Sequence, residues 1–331
     1  MVKMSRLGRL SKQLAIALAL GCCVGSHLVH AQQTWSMATA YPRDTIAGQG
    51  VASFASELNA KTAGEIVIAP QFKAKAGGKD LVSDVQSGRL QLADVFTGSL
   101  SRIDPIFDLP TIPFQVTSLA QAQRLTLALT PLYRRALLRA GLHMLFISPW
   151  PPTGLWSRRA ITVEADLSGM RVRTYDASSA QVLTDLGMQA SEMPVLEVSA
   201  LLRRGELDGV LSSGDGAVGR SFAGKLPNFT AIHYAFPVSF VVMSQSAYEA
   251  LPLKQKHQVD VAAEEVQRRQ WAALPARIEQ NYTAMRSSGI RVNTDVGDAL
   301  QAYLRDAGDA RMQQWLSHVP TEYSQIVRSV L

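Results

Sequence analysis

The stretch from Asp166 to Ser213 constrains the fold more than any other part of the chain. It opens on Asp166-Leu167-Ser168-Gly169-Met170, where an acid and a glycine mark a turn. Arg171-Val172-Arg173-Thr174-Tyr175 alternates enough for a short strand. Ser178 and Ser179 then offer N-cap hydroxyls to a helix carrying Val182, Leu183 and Leu186, with Gly187 as its stop. A second helix follows Pro194, packs Val198, Leu201 and Leu202, and ends at Gly205. Leu207-Asp208-Gly209-Val210-Leu211 reads as a buried strand running into Ser212 and Ser213. Strand, helix, helix, strand is half of an open α/β sheet, and ligands of such sheets sit beyond the carboxyl ends of the strands. Arg173 lies at such an end, with Arg171 two residues earlier on the same face.

The order Asp166-Leu167, Gly169-Met170-Arg171-Val172-Arg173, Leu186-Gly187, Met193-Pro194, Glu197-Val198, Gly205 and Asp208-Gly209 resembles a known family. It is similar to the solute-binding receptors of tripartite ATP-independent periplasmic (TRAP) transporters, DctP type. The likeness extends over the mature chain and is densest from Asp166 to Gly209. It implies a two-domain α/β periplasmic-binding-protein fold with a hinge and a long domain-spanning helix. It also implies a role for Arg173 as the clamp of a ligand carboxylate, and delivery of that ligand to the membrane subunits of a sodium-driven symporter. A planar fork of donors suits that clamp, because it grips a carboxylate with two bonds and keeps its charge.

The amino terminus reads as an export signal. Lys3, Arg6, Arg9 and Lys12 precede an apolar run from Leu14 to Val24 that is too short to span a bilayer, and Val29-His30-Ala31 is a small-residue cleavage site. Residues 1–31 are therefore a signal peptide, the mature chain starts at Gln32, and the expected compartment is the periplasm. Both cysteines, Cys22 and Cys23, fall in the leader, so the mature chain has no disulfide to form. Removing the four leader cations from the formal +6 leaves about +2. The arginine pairs at 134–135, 158–159, 203–204 and 268–269 are scattered rather than striped, which argues against a nucleic-acid partner.

The mature chain suits two domains. Trp35 to Tyr41 is a strand aimed at a ligand crevice, followed by a helix through Ile46, Phe54 and Leu58 and a strand from Glu65 to Phe72. The helix of Leu81, Val82 and Val85, then Gly88, then Leu90 to Phe96, then Thr97-Gly98-Ser99, parallels the unit at 198–213. Each half thereby offers strand ends to one cleft. Pro149-Trp150-Pro151-Pro152-Thr153-Gly154-Leu155-Trp156 reads as a stiff crossing strand, and Val238 to Ser244 carries the chain back. Leu253 to Ser287 is a long helix with Pro275 inside it, where a kink or break is expected. The expected domains are 32–152 with about 238–275, and 153–237 with about 276–331.

Other chemistries find little support. Gly214-Asp215-Gly216-Ala217-Val218-Gly219 spells G-x-G-x-x-G after a strand, but a dinucleotide site needs an acid roughly 20 residues on. Between Asp215 and Glu249 there is none, so the stretch reads as a loop opening a helix. His143, His233, His257 and His318 lack metal-ligand spacing, no G-x-S-x-G occurs, and no mature thiol exists. No cofactor, metal or catalytic residue is expected, and the chain is read as a binding protein rather than an enzyme. An exported enzyme and the ligand-binding subunit of a sensor are the competing classes.

Two departures from the family pattern bear on the ligand. A second arginine in G-x-R is replaced by Gly154-Leu155-Trp156, and Ser212 stands where an asparagine is usual. Fewer fixed cations argue against a small dicarboxylate. Trp150, Trp156, Tyr175 and Phe236 instead supply aromatic surface for a monocarboxylate with an apolar or aromatic body. The expected ligand-binding set is Arg173, Trp150, Trp156, Tyr175, Ser212, Tyr41, Thr97 and Phe236, in a monomeric receptor.

Overall fold

The computed structural model describes residues 32–331; the leader and its cleavage site lie outside the described residues. The strands are β1 (Gln33–Thr39), β2 (Ile66–Gln71), β3 (Leu92–Phe96), β4 (Leu142–Pro149), β5 (Gly154–Ser157), β6 (Arg171–Thr174), β7 (Gln189–Glu192), β8 (Gly209–Ser212), β9 (Asn228–Thr230), β10 (Val238–Ser244) and β11 (Arg291–Asn293). They form two sheets, ordered β2-β1-β3-β10-β4 and β11-β9-β5-β8-β6-β7. In the first, β1 runs parallel to β2 and β3, and β10 is antiparallel to both its neighbours. In the second, β6 runs parallel to β7 and β8, and β5 is antiparallel to β8.

The inner strands of both sheets are covered on both faces, which is why strands such as β3, β4 and β10 read as near-continuous apolar runs. The helices are α1 (Ile46–Lys61), α2 (Gly78–Gln86), α3 (Leu119–Arg139), α4 (Ala177–Asp185), α5 (Val195–Arg204), α6 (Ala217–Phe222), α7 (Gln245–Glu249), α8 (Leu253–Ser287), α9 (Asp298–Leu316) and α10 (Thr321–Val330). On the first sheet, Phe54 and Leu58 of α1 and Val259 and Val266 of α8 cover Trp35, Met37 and Phe146. Val85 of α2, Tyr133 of α3 and Val327 of α10 cover the other face over Val95, Ile147 and Phe240. On the second sheet, alternation sends Leu155 and Leu211 toward α4 and α9, and Trp156 and Val210 toward α5 and α6. Each such fully buried aromatic or branched side chain contributes about 1.5–3 kcal/mol.

Local signals set the element ends. Thr45 caps α1, its hydroxyl accepting from the Gly48 amide at 3.1 Å. Helix α5 stops at Gly205, whose φ of 73° closes the last turn. Helix α4 is capped by Asp176, not by the Ser178 and Ser179 hydroxyls. Asp176 accepts from the amide and hydroxyl of Ser179 at 2.7 and 2.6 Å, a charge-assisted cap that one serine cannot match. The edge strand β7 has no signal in the sequence, because Gln189–Glu192 carries no apolar alternation.

Helix α8 runs unbroken through Pro275. Val259 to Val266 are anchored on the first sheet, Leu274 beside Ile46 and Trp150, and Tyr282 and Met285 on the second sheet. Burial on both sides of the proline outweighs the one hydrogen bond it removes, a cost of about 3 kcal/mol. Helix α9 begins on the second sheet with Leu300 and Leu304, but its Met312 and Trp315, like Tyr323 of α10, pack in the core of the first. The last elements thus return to the first sheet instead of staying with the second. Among the described residues, no helix is long and apolar enough to cross a membrane.

Candidate functional site

The two sheets are joined by paired crossing segments. The amides of Trp150 and Thr153 donate to the carbonyls of Pro237 and Ala235, and the amide of Tyr234 donates back to Thr153, each at 2.9 Å. The proline-rich stretch and the return segment therefore form an antiparallel pair, a hinge with defined bonds. Beside it lies a cavity of about 50 Å³ walled by strand ends of both sheets. The first sheet supplies Tyr41 beyond β1, Phe96 at the end of β3 and Trp150 beyond β4; the second supplies Arg173, Tyr175, Ser212, Ser213 and Asp215. This is the crevice expected at the carboxyl ends of strands in open α/β sheets.

Aromatic pairs build its walls. Tyr41 and Trp150 meet edge to face at 4.6 Å, and the Trp150 indole donates to the Ser239 hydroxyl at 2.9 Å. Phe96 meets Tyr175 at 5.1 Å, joining a first-sheet residue to a second-sheet one across the cleft. Burial raises the Tyr41 and Tyr175 hydroxyl pKa values, so both rings stay neutral and act as apolar surface with a hydrogen-bonding tip.

Arg173 is the exception in this apolar wall. It is only 5% exposed, and its Nε donates to the Met193 carbonyl at 2.9 Å and its Nη1 to the Leu211 carbonyl at 3.3 Å. Among the described residues, no ion pair joins it to a carboxylate. Burial pushes its pKa down to about 10, outweighing the opposing fields of Tyr41, Tyr175, Asp176 and Glu192, none of which is paired with it. Arg171, the rival on the same face, points the other way along the strand. It forks onto both Asp208 oxygens at 2.8 Å and donates to the Gly205 carbonyl at 2.7 Å, so its charge is already matched within the protein.

Of the eight residues singled out from sequence, Arg173, Trp150, Tyr175, Ser212 and Tyr41 line this cavity. Trp156, Thr97 and Phe236 do not. Trp156 is fully buried between Phe222 and Phe229, at 5.3 and 5.2 Å, because alternation along β5 turns it into the core under α6. Thr97 is buried and donates to the Phe107 carbonyl at 2.6 Å, leaving Phe96 to face the cleft. Phe236 packs in the first core, and its neighbour Pro237 lines the cavity instead. For Thr97 and Phe236 the miss is one residue of register, which in an extended chain reverses the face. Asp215 also lines the cavity, and its place directly after a strand end, between two glycines, is the one local signal for it.

Comparison with known proteins places this geometry in context. The model of the family DctP, described as bacterial extracellular solute-binding protein, family 7, matches residues 37–315. Among similar solved structures is a Bordetella pertussis extracytoplasmic solute receptor binding pyroglutamic acid. It is 24% identical over 90% of this chain and 99% of its own, with a TM-score of 0.86. A marine metagenome TRAP solute-binding protein specific for pyroglutamate is 23% identical over 91% and 99%, with a TM-score of 0.85. A TRAP periplasmic solute-binding protein from Ralstonia eutropha H16, with bound (S)-2-acetolactate, is 17% identical over 90% and 98%, with a TM-score of 0.83. At these identities the likeness establishes the two-lobe α/β fold.

Proposed function

The chain belongs to the DctP family of bacterial extracellular solute-binding proteins, and from that premise we propose that it is a periplasmic receptor for a compact monocarboxylate with an apolar body, delivered to TRAP membrane subunits. Members of the family are substrate-binding receptors, not enzymes. The observation that carries the reading is Arg173, a buried guanidinium with unused donors on the wall of an aromatic cavity. A carboxylate supplies the missing counter-charge, and its remaining atoms meet Tyr41, Trp150, Phe96 and Tyr175. Pyroglutamate and acetolactate, named for three structural relatives, each carry one carboxylate on a small body and are natural probes.

We assign 32–152 and about 238–275 to the first lobe, and 153–237 with the chain from about 276 into α9 to the second. The packing of Trp315 and Tyr323 supports returning the C-terminal end to the first. A ligand touching both lobes favours the closed state, because it gains contacts there that the open state lacks. The test is titration calorimetry of purified mature protein with pyroglutamate, cyclopentanecarboxylate and 3-methylbutanoate, beside succinate. Monocarboxylates are expected to bind and succinate to bind more weakly. Succinate binding more tightly than all three would overturn the ligand class.

A further inference from the structure

Among the described residues, two charged side chains line the cavity, Arg173 and Asp215, and of these the first is free to meet a ligand. Asp215 is 1% exposed. One oxygen accepts from the Ile46 amide at 2.6 Å and from Arg277 Nη2 at 3.0 Å. The other accepts from Arg277 Nε at 2.6 Å and from the Asn281 amide at 2.7 Å. A carboxylate offers about four lone-pair sites, and all of these are taken. Its charge is matched by Arg277, whose side chain is 13% exposed.

The loop is also held in place. Gly216 has a φ of 58°, and a Cβ there would come within 2.8 Å of the Asp44 carbonyl oxygen. Arg277 donates to that same carbonyl oxygen, and Arg220 pairs with the Asp44 carboxylate. Asp215 therefore cannot swing toward the cavity without breaking bonds to α1 and α8 together. The other buried carboxyls nearby, Asp94 and Asp176, do not line the cavity, and burial raises both pKa values.

We infer that the Asp215–Arg277–Asn281 cluster is a specificity device that makes the site reject ligands carrying an ammonium group, so that it takes neutral-bodied carboxylates and excludes free amino acids. This rests on the carboxylate reading above. An amino acid would bring its cation into a cavity whose other polar lining includes the neutral hydroxyls of Thr153, Ser212 and Ser213 and whose one lining carboxylate has no acceptor left, and a buried charge without a counter-charge is strongly disfavoured.

Two isosteric pairs test it on the mature protein by calorimetry: cyclopentanecarboxylate against L-proline, and 2,3-dimethylbutanoate against L-valine. In each pair the amino acid is expected to bind weaker by roughly tenfold or more. Arg277→Gln leaves the Asp215 charge without its counter-charge and should narrow that gap. Asn281→Ala, a milder change that opens one lone-pair site, should narrow it less. A wild-type gap smaller than tenfold overturns the inference and leaves the carboxylate reading standing. Equal weakening of both members in both variants also overturns it, because the cluster would then be structural only. Failure of all four probes, with pyroglutamate and acetolactate failing too, overturns the carboxylate reading and this inference with it.

Discussion

Arg173 and Asp215 stand on the same cavity wall, both almost wholly buried, and differ in one respect: how many of their hydrogen bonds the protein makes for itself. Asp215 has four donors around two oxygens. Arg173 has five N–H groups and gives the protein two bonds, both to neutral carbonyls. Burial alone therefore does not identify a ligand-binding charge. A saturated charge with a counter-ion holds the scaffold, and an unsaturated one without a counter-ion waits for a ligand.

Substitution should give the two residues opposite signatures, and the largest effect belongs to Arg173. Without its guanidinium a bound carboxylate is stranded in the cleft, so Arg173→Ala should cost ~2–5 kcal/mol of binding. That is roughly a thirtyfold to several-thousandfold loss of affinity by calorimetry. Arg173→Lys should recover part, since a point charge cannot reproduce the two-bond fork. The ligand-free protein should behave the other way. Removing an unmatched buried charge, as in Arg173→Met, should leave urea stability unchanged or raise it by up to about 2 kcal/mol. A destabilised Arg173→Met with normal affinity would break the comparison.

Asp215→Ala should move stability instead. It strands Arg277 and frees the Ile46 amide, and breaking one side of a buried pair costs about 3–5 kcal/mol. Water reaches part of Arg277, which puts the expected loss near 3 kcal/mol in urea unfolding. A change below about 1 kcal/mol would mean that the cluster is not what fixes the loop, against the normal cost of such losses.

This contrast also marks what the sequence could say. Strand and helix periodicity put β10 at Val238–Ser244 and α8 at Leu253–Ser287, because long apolar patterns depend on nearby residues. The resemblance in Asp166–Gly209 pointed to Arg173, and the polar, exposed face of β7 hid that strand in the same stretch. Thr97 and Phe236 were misplaced because register is settled by packing across the sheet, not by the local pattern. The saturation of Asp215 is unreadable in sequence for a stronger reason. Its donors lie 169, 62 and 66 residues away, so its saturation exists only in the folded chain.

The smallest effect sharpens the comparison most finely, because it lies on the same strand. Arg171 also carries a guanidinium, but its side chain is 43% exposed and forked onto Asp208. Water and salt screen an exposed pair, so even with two-bond geometry this one contributes little. Arg171→Ala should therefore lower stability only slightly at neutral pH and leave ligand affinity within roughly twofold of wild type. The hydrogen bond from Arg171 holds the Asp208 pKa below its ordinary value of 3.8. A depressed carboxylate contributes stability above its unfolded pKa and loses it as pH falls through the folded one. The gap between wild type and Arg171→Ala should accordingly be full at pH 7 and shrink as pH drops below that carboxylate's ordinary range. Urea titrations of both proteins across that interval measure it. If Arg171→Ala weakens binding as much as Arg173→Ala, then hydrogen-bond saturation does not separate the two arginines, and the clamp must be assigned to the strand as a whole.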